Sequence, residues 1–261
     1  MFIVWGTKRT IRKQGYIADF CPLCREVRAF ELLRIGLASH LYYVSFGQGR
    51  LAGHLQRCLE CRFEMPVDPG HYASIGDRQA VKDLEQLILL TNPQLRQNLA
   101  DRLATEARLR HSPASLTPEM REALLLESFK LVNPEVEMRY KQETQLDKPA
   151  GLGCFGTIIL SALLFYGASL VPTPTQEQAL LGAAIFCGLG IVYTFVQIGL
   201  APRRWLRARI VPLLAGALEP LQPTREELQS CLQRCEIAGL KIGRKLKLPV
   251  LWAEMQRRGA S

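Results

Sequence analysis

The sequence predicts a multi-domain membrane protein in which a small β domain precedes a mainly α-helical chain with a two-helix transmembrane hairpin. Three observations predict this fold class: two Cys-x-x-C pairs near the N-terminus, repeated helix-start signals in the middle, and two long uncharged runs after residue 150. The predicted domains are the β domain at 1–70, a cytoplasmic helical region at 71–148, the hairpin at 149–202 and a basic cytoplasmic helical tail at 203–261.

Charge is distributed unevenly along the chain. The net charge of +9 arises at the two ends, since residues 1–70 hold 10 basic and 6 acidic residues and residues 202–261 hold 12 and 5. Residues 71–150 are nearly balanced, and residues 151–201 contain a single charged residue, Glu177. A nearly uncharged stretch as long as residues 151–201 indicates that this segment is surrounded by something other than water. The first ten residues contain too few apolar side chains for a secretory signal peptide.

The first four of the eight cysteines form two close pairs. Cys21 and Cys24 enclose Pro-Leu, Cys58 and Cys61 enclose Leu-Glu, and 33 residues lie between the pairs. Each pair can place two thiolates on one tetrahedral zinc ion, as the two turns of a zinc ribbon do. Because four cysteines leave no coordination position open, we expect one structural Zn²⁺ per chain rather than a catalytic metal. Redox-active dithiols are the less favoured interpretation.

Strand signals lie where a zinc ribbon needs them. The apolar run Phe2-Ile3-Val4-Trp5 precedes the first cysteine pair, and the aromatic and branched run Leu41–Phe46 lies between the pairs, followed by a Gly-Gln-Gly turn. His40 and His54 are also nearby. His54 could replace a ligand, but with four thiolates present a surface position is expected. A domain of about 60 residues would depend on zinc to fold.

These features resemble a family of largely uncharacterised zinc-ribbon proteins. The shared pattern is an opening Phe-x-x-x-Gly strand (MFIVWGTKRT), the pair CPLC followed by a Leu-Leu-Arg stretch, and the second pair CLEC, over about residues 1–65. The resemblance implies a zinc-ribbon fold with Cys21, Cys24, Cys58 and Cys61 as ligands, and it carries no established activity. The chain departs from the family where Arg25 and Arg62 follow the pairs in place of the common glycine. It also has GLASHLYYVSFGQG where the family has a Trp-Phe-rich stretch ending in proline.

The region 71–148 carries three helix-start signals, each a capping residue before proline: Asn92-Pro93, Thr117-Pro118 and Asn133-Pro134. Proline lacks the N–H that would be unpaired in a first helical turn, and it biases the preceding residue toward the extended dihedrals of an N-cap. Apolar residues at helical spacing accompany these signals. The sequence therefore predicts a small helical domain or stalk whose mixed charges form a solvated face.

Two uncharged runs, at 151–171 and 179–201, contain ten and eleven large aliphatic or Phe side chains. A bilayer core of about 30 Å needs about 20 helical residues. Ten such side chains contribute roughly −3 to −6 kcal/mol toward insertion. The loop between the runs has no Lys or Arg, whereas four arginines lie within 203–209, so the positive-inside rule places both termini in the cytoplasm of a two-pass plasma or inner membrane protein. A buried hairpin in a soluble core is the alternative.

The first run begins with GLGCFG, at residues 151–156, which matches the dinucleotide fingerprint G-x-G-x-x-G. Glu177 follows at about the distance of a ribose-binding acid. That fingerprint belongs between a strand and a helix, whereas the preceding KQETQLDKPA is polar and contains a proline near its end, and the hairpin would put Glu177 in the outer loop. We therefore interpret these glycines as small residues for helix packing, together with those at 167, 182, 188 and 190.

The tail begins with a basic segment, RRWLRAR, which is expected to meet anionic headgroups and to set the topology. Thr224-Arg-Glu-Glu227 is a capping box, which predicts a helix that ends near Gly239. Cys231 and Cys235 lie on its apolar face, where packing is expected and a second metal site across a dimer is less favoured. The stretch GLKIGRKLKLPVLW alternates basic and apolar residues, as in a membrane-surface or docking element or a solvated helix face.

No G-x-S-x-G, H-E-x-x-H, Walker or paired-carboxylate motif is found, so we expect no enzyme. The predicted function is that of a zinc-binding integral membrane protein, in contact with membrane lipid, whose ribbon presents a cytoplasmic surface to a protein partner. The alternative is a membrane-tethered ribbon that binds nucleic acid through Lys8, Arg9, Arg12 and Lys13. A transporter subunit is less favoured, because a lone hairpin without intramembrane charge forms a poor transport path.

Overall fold

The structure is a computed structural model that describes residues 5–41, 44–45, 47–112, 116–141, 147–170, 172 and 175–259. The predicted strand positions Phe2–Val4, Tyr42, Tyr43 and Phe46 lie outside the described residues. The chain divides into two compact units. The first unit comprises residues 1–124 with 216–223, and the second comprises residues 125–215 with 224–261. The boundaries at 70, 148 and 202 stay predictions.

A five-stranded antiparallel sheet forms the N-terminal part of the first unit, as predicted. Its strands are β1 (Trp5–Cys21), β2 (Glu26–Leu41), β3 (Val44–Ser45), β4 (Arg50–Cys58) and β5 (Glu64–Pro66). The order is β1-β2-β4-β5, and β3 pairs with β2. At 17 and 16 residues, β1 and β2 are much longer than ordinary strands of about five or six residues. The end of this hairpin that carries the cysteines is buried, whereas residues 11–14 are exposed.

A register shift between Lys13 and Gly15 marks the point where β1 meets the following segment. Beyond it, Tyr16 and Gly76 exchange backbone hydrogen bonds of 2.9 and 2.8 Å. A Cβ atom on Gly15 would lie 2.3 Å from Ile75 Cγ2 and 2.7 Å from the Gly76 carbonyl oxygen. Gly15 is therefore needed because two backbone segments approach each other closely at this position.

Short helices pack on the sheet within the first unit. They are α1 (Leu84–Thr91), α2 (Leu95–Asn98) and α3 (Ala100–His111), with 3₁₀ turns at Pro69–His71, Ala80–Lys82 and Glu219–Leu221. A core of six buried residues joins β1 to these helices: Tyr16, Ala18, Ala80, Leu87, Ile88 and Leu95. The buried Thr91 fixes the contact, since its hydroxyl accepts from the Ala18 N–H at 3.0 Å and donates to the Leu87 carbonyl at 2.8 Å.

Of the three predicted helix starts, only one is correct. The helix α4 (Pro118–Lys141) begins at Thr117-Pro118, and the Met120 N–H donates to the Thr117 hydroxyl at 3.3 Å. Asn92 instead ends α1, and α2 begins later, at Leu95. Asn133-Pro134 lies inside α4, where the buried Asn133 Oδ1 accepts from the backbone N–H of Ile242 at 3.1 Å. A local capping signal is overridden there by a contact from a distant part of the chain.

The second unit contains two long apolar helices, α5 (Lys148–Ser169) and α6 (Gln176–Trp205). Both are long and apolar enough to cross a bilayer. In their most apolar stretches only 11% and 6% of the residues are buried. GLGCFG lies in the first two turns of α5, which begins after the N-cap Asp147, so the strand that a dinucleotide site requires is not among the described residues around it.

Two glycines bring α5 and α6 together. A Cβ atom on Gly190 would lie 2.3 Å from Thr157 Cγ2, and one on Gly153 would lie 3.2 Å from the Tyr193 ring. The glycines at 151, 156, 167, 182 and 188 would meet nothing within 4 Å. At the open end of the pair, the Arg204 guanidinium donates to both carboxylate oxygens of Asp147, at 2.7 and 2.9 Å. Small residues therefore allow close packing at two of the seven predicted positions.

After Trp205 the chain continues through a π-helical turn (Leu206–Ile210) into α7 (Val211–Leu218), followed by α8 (Arg225–Ile237), α9 (Lys241–Lys245) and α10 (Leu248–Gly259). The predicted capping box is confirmed, because Thr224 and Glu227 hydrogen-bond each other reciprocally at 2.7 and 3.2 Å. The helix ends two residues before Gly239, which has a positive φ of 75°. Cys231 and Cys235 are buried on its packed face.

Candidate metal centre

Both cysteine pairs lie at the ends of hairpin turns. Cys21 is the last residue of β1, Cys24 lies in the turn before β2, Cys58 is the last residue of β4, and Cys61 lies in the turn before β5. Pairing of β2 with β4 brings the two turns together, since Phe30 lies opposite Cys58. The Leu59 N–H also donates to the Ala29 carbonyl at 3.0 Å. The turn sequences place two cysteines at each turn, and the strand order brings the two turns together, so the four sulfurs lie close to one another.

The four sulfur atoms all lie within 4.8 Å of one another. Cys21 Sγ is 3.6 Å from Cys61 Sγ, and Cys24 Sγ is 3.8 Å from Cys58 Sγ. A disulfide requires about 2.05 Å, so these are free thiols. Four sulfurs arranged tetrahedrally at about 2.3 Å from a zinc ion would be about 3.8 Å apart. The spacing therefore suits a metal ion bound by four thiolates.

Mutual contacts shift the pKa values of the four cysteines in opposite directions. Hydrogen bonds with the other thiols, first with Cys24, raise the pKa of Cys21. The hydrogen bond with Cys21 lowers the pKa of Cys24, but those with Cys58 and Cys61, together with burial, raise it overall. The Cys24 N–H donates to Cys21 Sγ at 3.4 Å. Hydrogen bonding from the Cys21 thiol is the main cause that lowers the pKa of both Cys58 and Cys61, and the backbone N–H groups of Cys61 and Phe63 add to it. Metal ligation requires deprotonated cysteines, so the lowered pKa values of Cys58 and Cys61 suit it, and a bound cation would have to displace the protons of Cys21 and Cys24.

Each turn ends with an arginine in the left-handed conformation, Arg25 at φ 56° and Arg62 at φ 61°. Glycine normally occupies such positions because a Cβ costs about 1–2 kcal/mol there. Both cysteine pairs are thus followed by an arginine in a backbone conformation that glycine adopts more readily. The two arginines differ in environment, since Arg25 is buried and Arg62 is exposed.

Arg25 is the structural link between the metal centre and the helices of the first unit. With 2% of its surface exposed, its guanidinium contacts both carboxylate oxygens of Glu106 at 3.2 Å and donates to the carbonyls of Ala217 at 2.8 Å and Leu124 at 3.2 Å. Glu106 is also buried and pairs with Arg102 at 3.0 Å. These contacts connect the first cysteine turn to α3 and explain why arginine stands at position 25, where glycine would suit the backbone better.

A second polar cluster lies two residues before Cys21. Tyr72 Oη is 2.7 Å from Asp19 Oδ2 and 2.9 Å from Gln56 Oε1, and Gln56 Nε2 donates to Asp19 Oδ2 at 3.0 Å. Burial and the Asp19 carboxylate raise the pKa of the Tyr72 phenol. These contacts join β1 to β4, the strands that end in Cys21 and Cys58. No sequence motif marks this cluster or the Arg25 pair, because each joins positions far apart in the chain.

The remaining predicted site residues lie elsewhere. His54 lies in β4 opposite Arg34 and is not part of the sulfur cluster. His40 is paired near the end of β2 that is farther from the cysteines. Cys231 and Cys235 belong to the second unit. Among the residues that the structure describes, the four predicted cysteines are thus the candidate ligands.

Comparison of the chain with protein-family models, with curated proteins and with solved structures finds no match. The antiparallel sheet with its four neighbouring cysteines is consistent with a zinc ribbon, and no family match adds to that observation.

Proposed function

We propose that this chain is a non-enzymatic integral membrane protein in which a structural zinc ion organises a cytoplasmic surface for a protein partner. The observation that carries the proposal is the convergence of four cysteine sulfurs within 4.8 Å at the ends of two hairpins. Zinc is the metal that a tetrahedral set of four thiolates favours. Four protein ligands would leave no open position for water or substrate, which supports a structural role.

The exposed apolar side chains of α5 and α6 support membrane insertion. Large side chains such as Leu152, Phe195 and Ile158 are 60–75% exposed on α5 and α6. Apolar surface on this scale is rare on soluble monomers and needs a covering environment. The cluster of arginines in the last turn of α6 and in the π-helical turn lies at one end of the pair. The positive-inside rule therefore supports two passes with both termini in the cytoplasm of the plasma or inner membrane.

The partner surface is supported by the exposed half of the long hairpin. Ile11 is 47% exposed and Leu37 is 42% exposed. Both lie on one face of the sheet, because Ile11 pairs with Ile35, two residues from Leu37. β1 is also an edge strand, and no described residue pairs with its outer edge before Tyr16. A protein segment can add to such an edge, with its side chains on the apolar face.

The geometry favours a protein partner over nucleic acid. Arg9 and Arg12 are three residues apart on a regular strand, so they lie on opposite faces, and Lys13 is engaged with Glu31 at 3.1 Å and with the Tyr16 ring at 3.6 Å. A phosphate backbone would need these cations along one surface.

Zinc measured per chain on the detergent-purified protein tests the metal part of the proposal. We expect about one zinc ion per chain and loss of most of it in Cys21→Ser. A zinc content near zero, or one unchanged by Cys21→Ser, would refute this part.

Cross-linking in membranes tests the partner surface. We expect the double variant Ile11→Asp/Leu37→Asp to lose a partner that the wild-type chain captures, while Ile237→Asp, at a site 85% exposed on α8, retains it. Equal capture by both variants would contradict the assignment of the surface.

A further inference from the structure

A cavity of about 380 Å³ in the second unit is lined by five basic side chains. They are Arg203 and Arg207 from the end of α6 and the π-helical turn, and Arg244, Lys245 and Lys247 from α9 and the residues after it. All five are exposed, and none of the described residues that line the cavity is acidic. The cavity therefore concentrates positive charge in a concave surface.

The other walls of the cavity are apolar. Leu206 and Leu246 are buried beneath it, and Gly199 lies one helical turn before Arg203, on the side of the uncharged helix. A ligand that fills this cavity therefore meets cations on one side and an apolar helix on the other. That combination suits an anionic group attached to an apolar body.

The basic groups lack carboxylate partners within the part of the chain that the structure describes. Glu254 pairs with Arg257 at 2.9 Å, and Asp147 pairs with Arg204, the sequence neighbour of Arg203, at 2.7 Å. Tyr140 also lines the cavity, and its enclosed hydroxyl hydrogen-bonds to no described residue. An anion bound in the cavity would relieve the repulsion among these clustered cations.

We propose that this cavity binds the phosphate group of an anionic ligand. Phosphate offers several acceptor oxygens to clustered Arg and Lys side chains. An anionic lipid headgroup at the cytoplasmic boundary of α6 or a free phosphate compound could supply it. The lipid source rests on the proposed membrane insertion of α5 and α6, whereas binding of phosphate itself does not.

Native mass spectrometry of the full-length protein in detergent tests the proposal. The probes are dioctanoyl phosphatidylglycerol, dioctanoyl phosphatidylcholine and inorganic phosphate. We expect phosphatidylglycerol to bind more tightly than phosphatidylcholine. We also expect Arg244→Gln/Lys247→Gln to weaken that binding by roughly thirtyfold, since each basic residue contributes about a factor of five near an anionic surface. These side chains are exposed, and an unchanged melting temperature would verify that the variant folds.

Lys130→Gln/Arg225→Gln is the matched control, because it removes the same charge from exposed positions outside the cavity. A lipid headgroup is supported if phosphatidylglycerol binding is weakened only in Arg244→Gln/Lys247→Gln and inorganic phosphate does not displace the lipid. Displacement by millimolar inorganic phosphate supports the phosphate site and overturns the lipid source. Equal weakening in both variants overturns the site. Recovery of the chain in a detergent-free soluble fraction would refute membrane insertion separately, and the phosphate titration would still report on the cavity.

Discussion

Replacement of Arg25 by glycine should destabilise the protein although it installs the residue that suits the backbone. Glycine would relieve about 1–2 kcal/mol of left-handed strain at φ 56°. Part of that gain, about 0.4–1 kcal/mol, is offset by the greater freedom of glycine in the unfolded chain. Loss of the guanidinium would also leave the buried Glu106 carboxylate and the carbonyls of Ala217 and Leu124 without their donor.

Breaking a buried ion pair costs about 3–5 kcal/mol. Arg102 would still contact Glu106, so the lower part of this range applies and the net loss should be about 2–3 kcal/mol. At roughly 2–4 °C per kcal/mol, the melting temperature of Arg25→Gly should fall by about 4–12 °C. Thermal unfolding of the zinc-loaded protein in detergent measures this change. A chromogenic chelator can follow zinc release in the same experiment.

Arg62→Gly is the matched control, since Arg62 has the same backbone conformation at φ 61° on an exposed turn. Its free energy of unfolding should be unchanged or higher by at most about 1.6 kcal/mol, so its melting temperature should not fall. Adding Glu106→Gln to Arg25→Gly should restore part of the loss, because it removes the buried charge that lacks its main partner. If Arg25→Gly raised the melting temperature as Arg62→Gly does, the buried ion pair would not stabilise the turn.

Three further predictions concern other sites. Gly190→Leu should destabilise the α5–α6 pair by about 1–3 kcal/mol in a thermal melt, because its Cβ would overlap Thr157, whereas Gly188→Leu, which faces open space, should be tolerated. The Arg204 guanidinium lowers the pKa of the Asp147 carboxyl, so the stability from this pair should be present above the unfolded pKa of about 3.9 and lost as pH falls through the lower folded value. Asp147→Asn should flatten that acid dependence of the melting temperature, and an unchanged dependence would contradict the pairing. Cys58→Ala should abolish stoichiometric zinc binding while Cys231→Ala leaves it intact, and equal zinc loss in both would point to a metal site in the second unit.

Local signals predicted the parts of the structure that are local in origin. The Cys-x-x-C turns, the capping box at Thr224 and the apolar helices α5 and α6 each depend on residues within one continuous segment of chain, and the structure contains all of them. The length of β1 and β2 was not predictable in the same way. Their outer halves carry charged and exposed residues, and they are strands because each pairs with the other.

The features that the sequence did not reveal depend on distant contacts. Thr117-Pro118 and Asn133-Pro134 carry the same local signal, yet only the first starts a helix. The Asn133 side chain instead accepts a hydrogen bond from the backbone N–H of Ile242, 109 residues away. From the sequence alone, Arg25 is only a residue at a position where glycine is expected. Its role depends on the Ala217 carbonyl, 192 residues away, which accepts its hydrogen bond. Such contacts are set by tertiary packing, which no short window of sequence contains.

The discontinuous first unit has a consequence for the order of synthesis. Residues 216–223 complete this unit, yet they leave the ribosome after α5 and α6. Leu124 and Ala217 are 93 residues apart, which corresponds to roughly 5–20 s of translation at about 5–20 residues per second. The cysteine turns can therefore bind metal before the last acceptor of the Arg25 side chain has been made. Completion of the first unit then follows synthesis of both apolar helices, so its maturation is coupled to theirs.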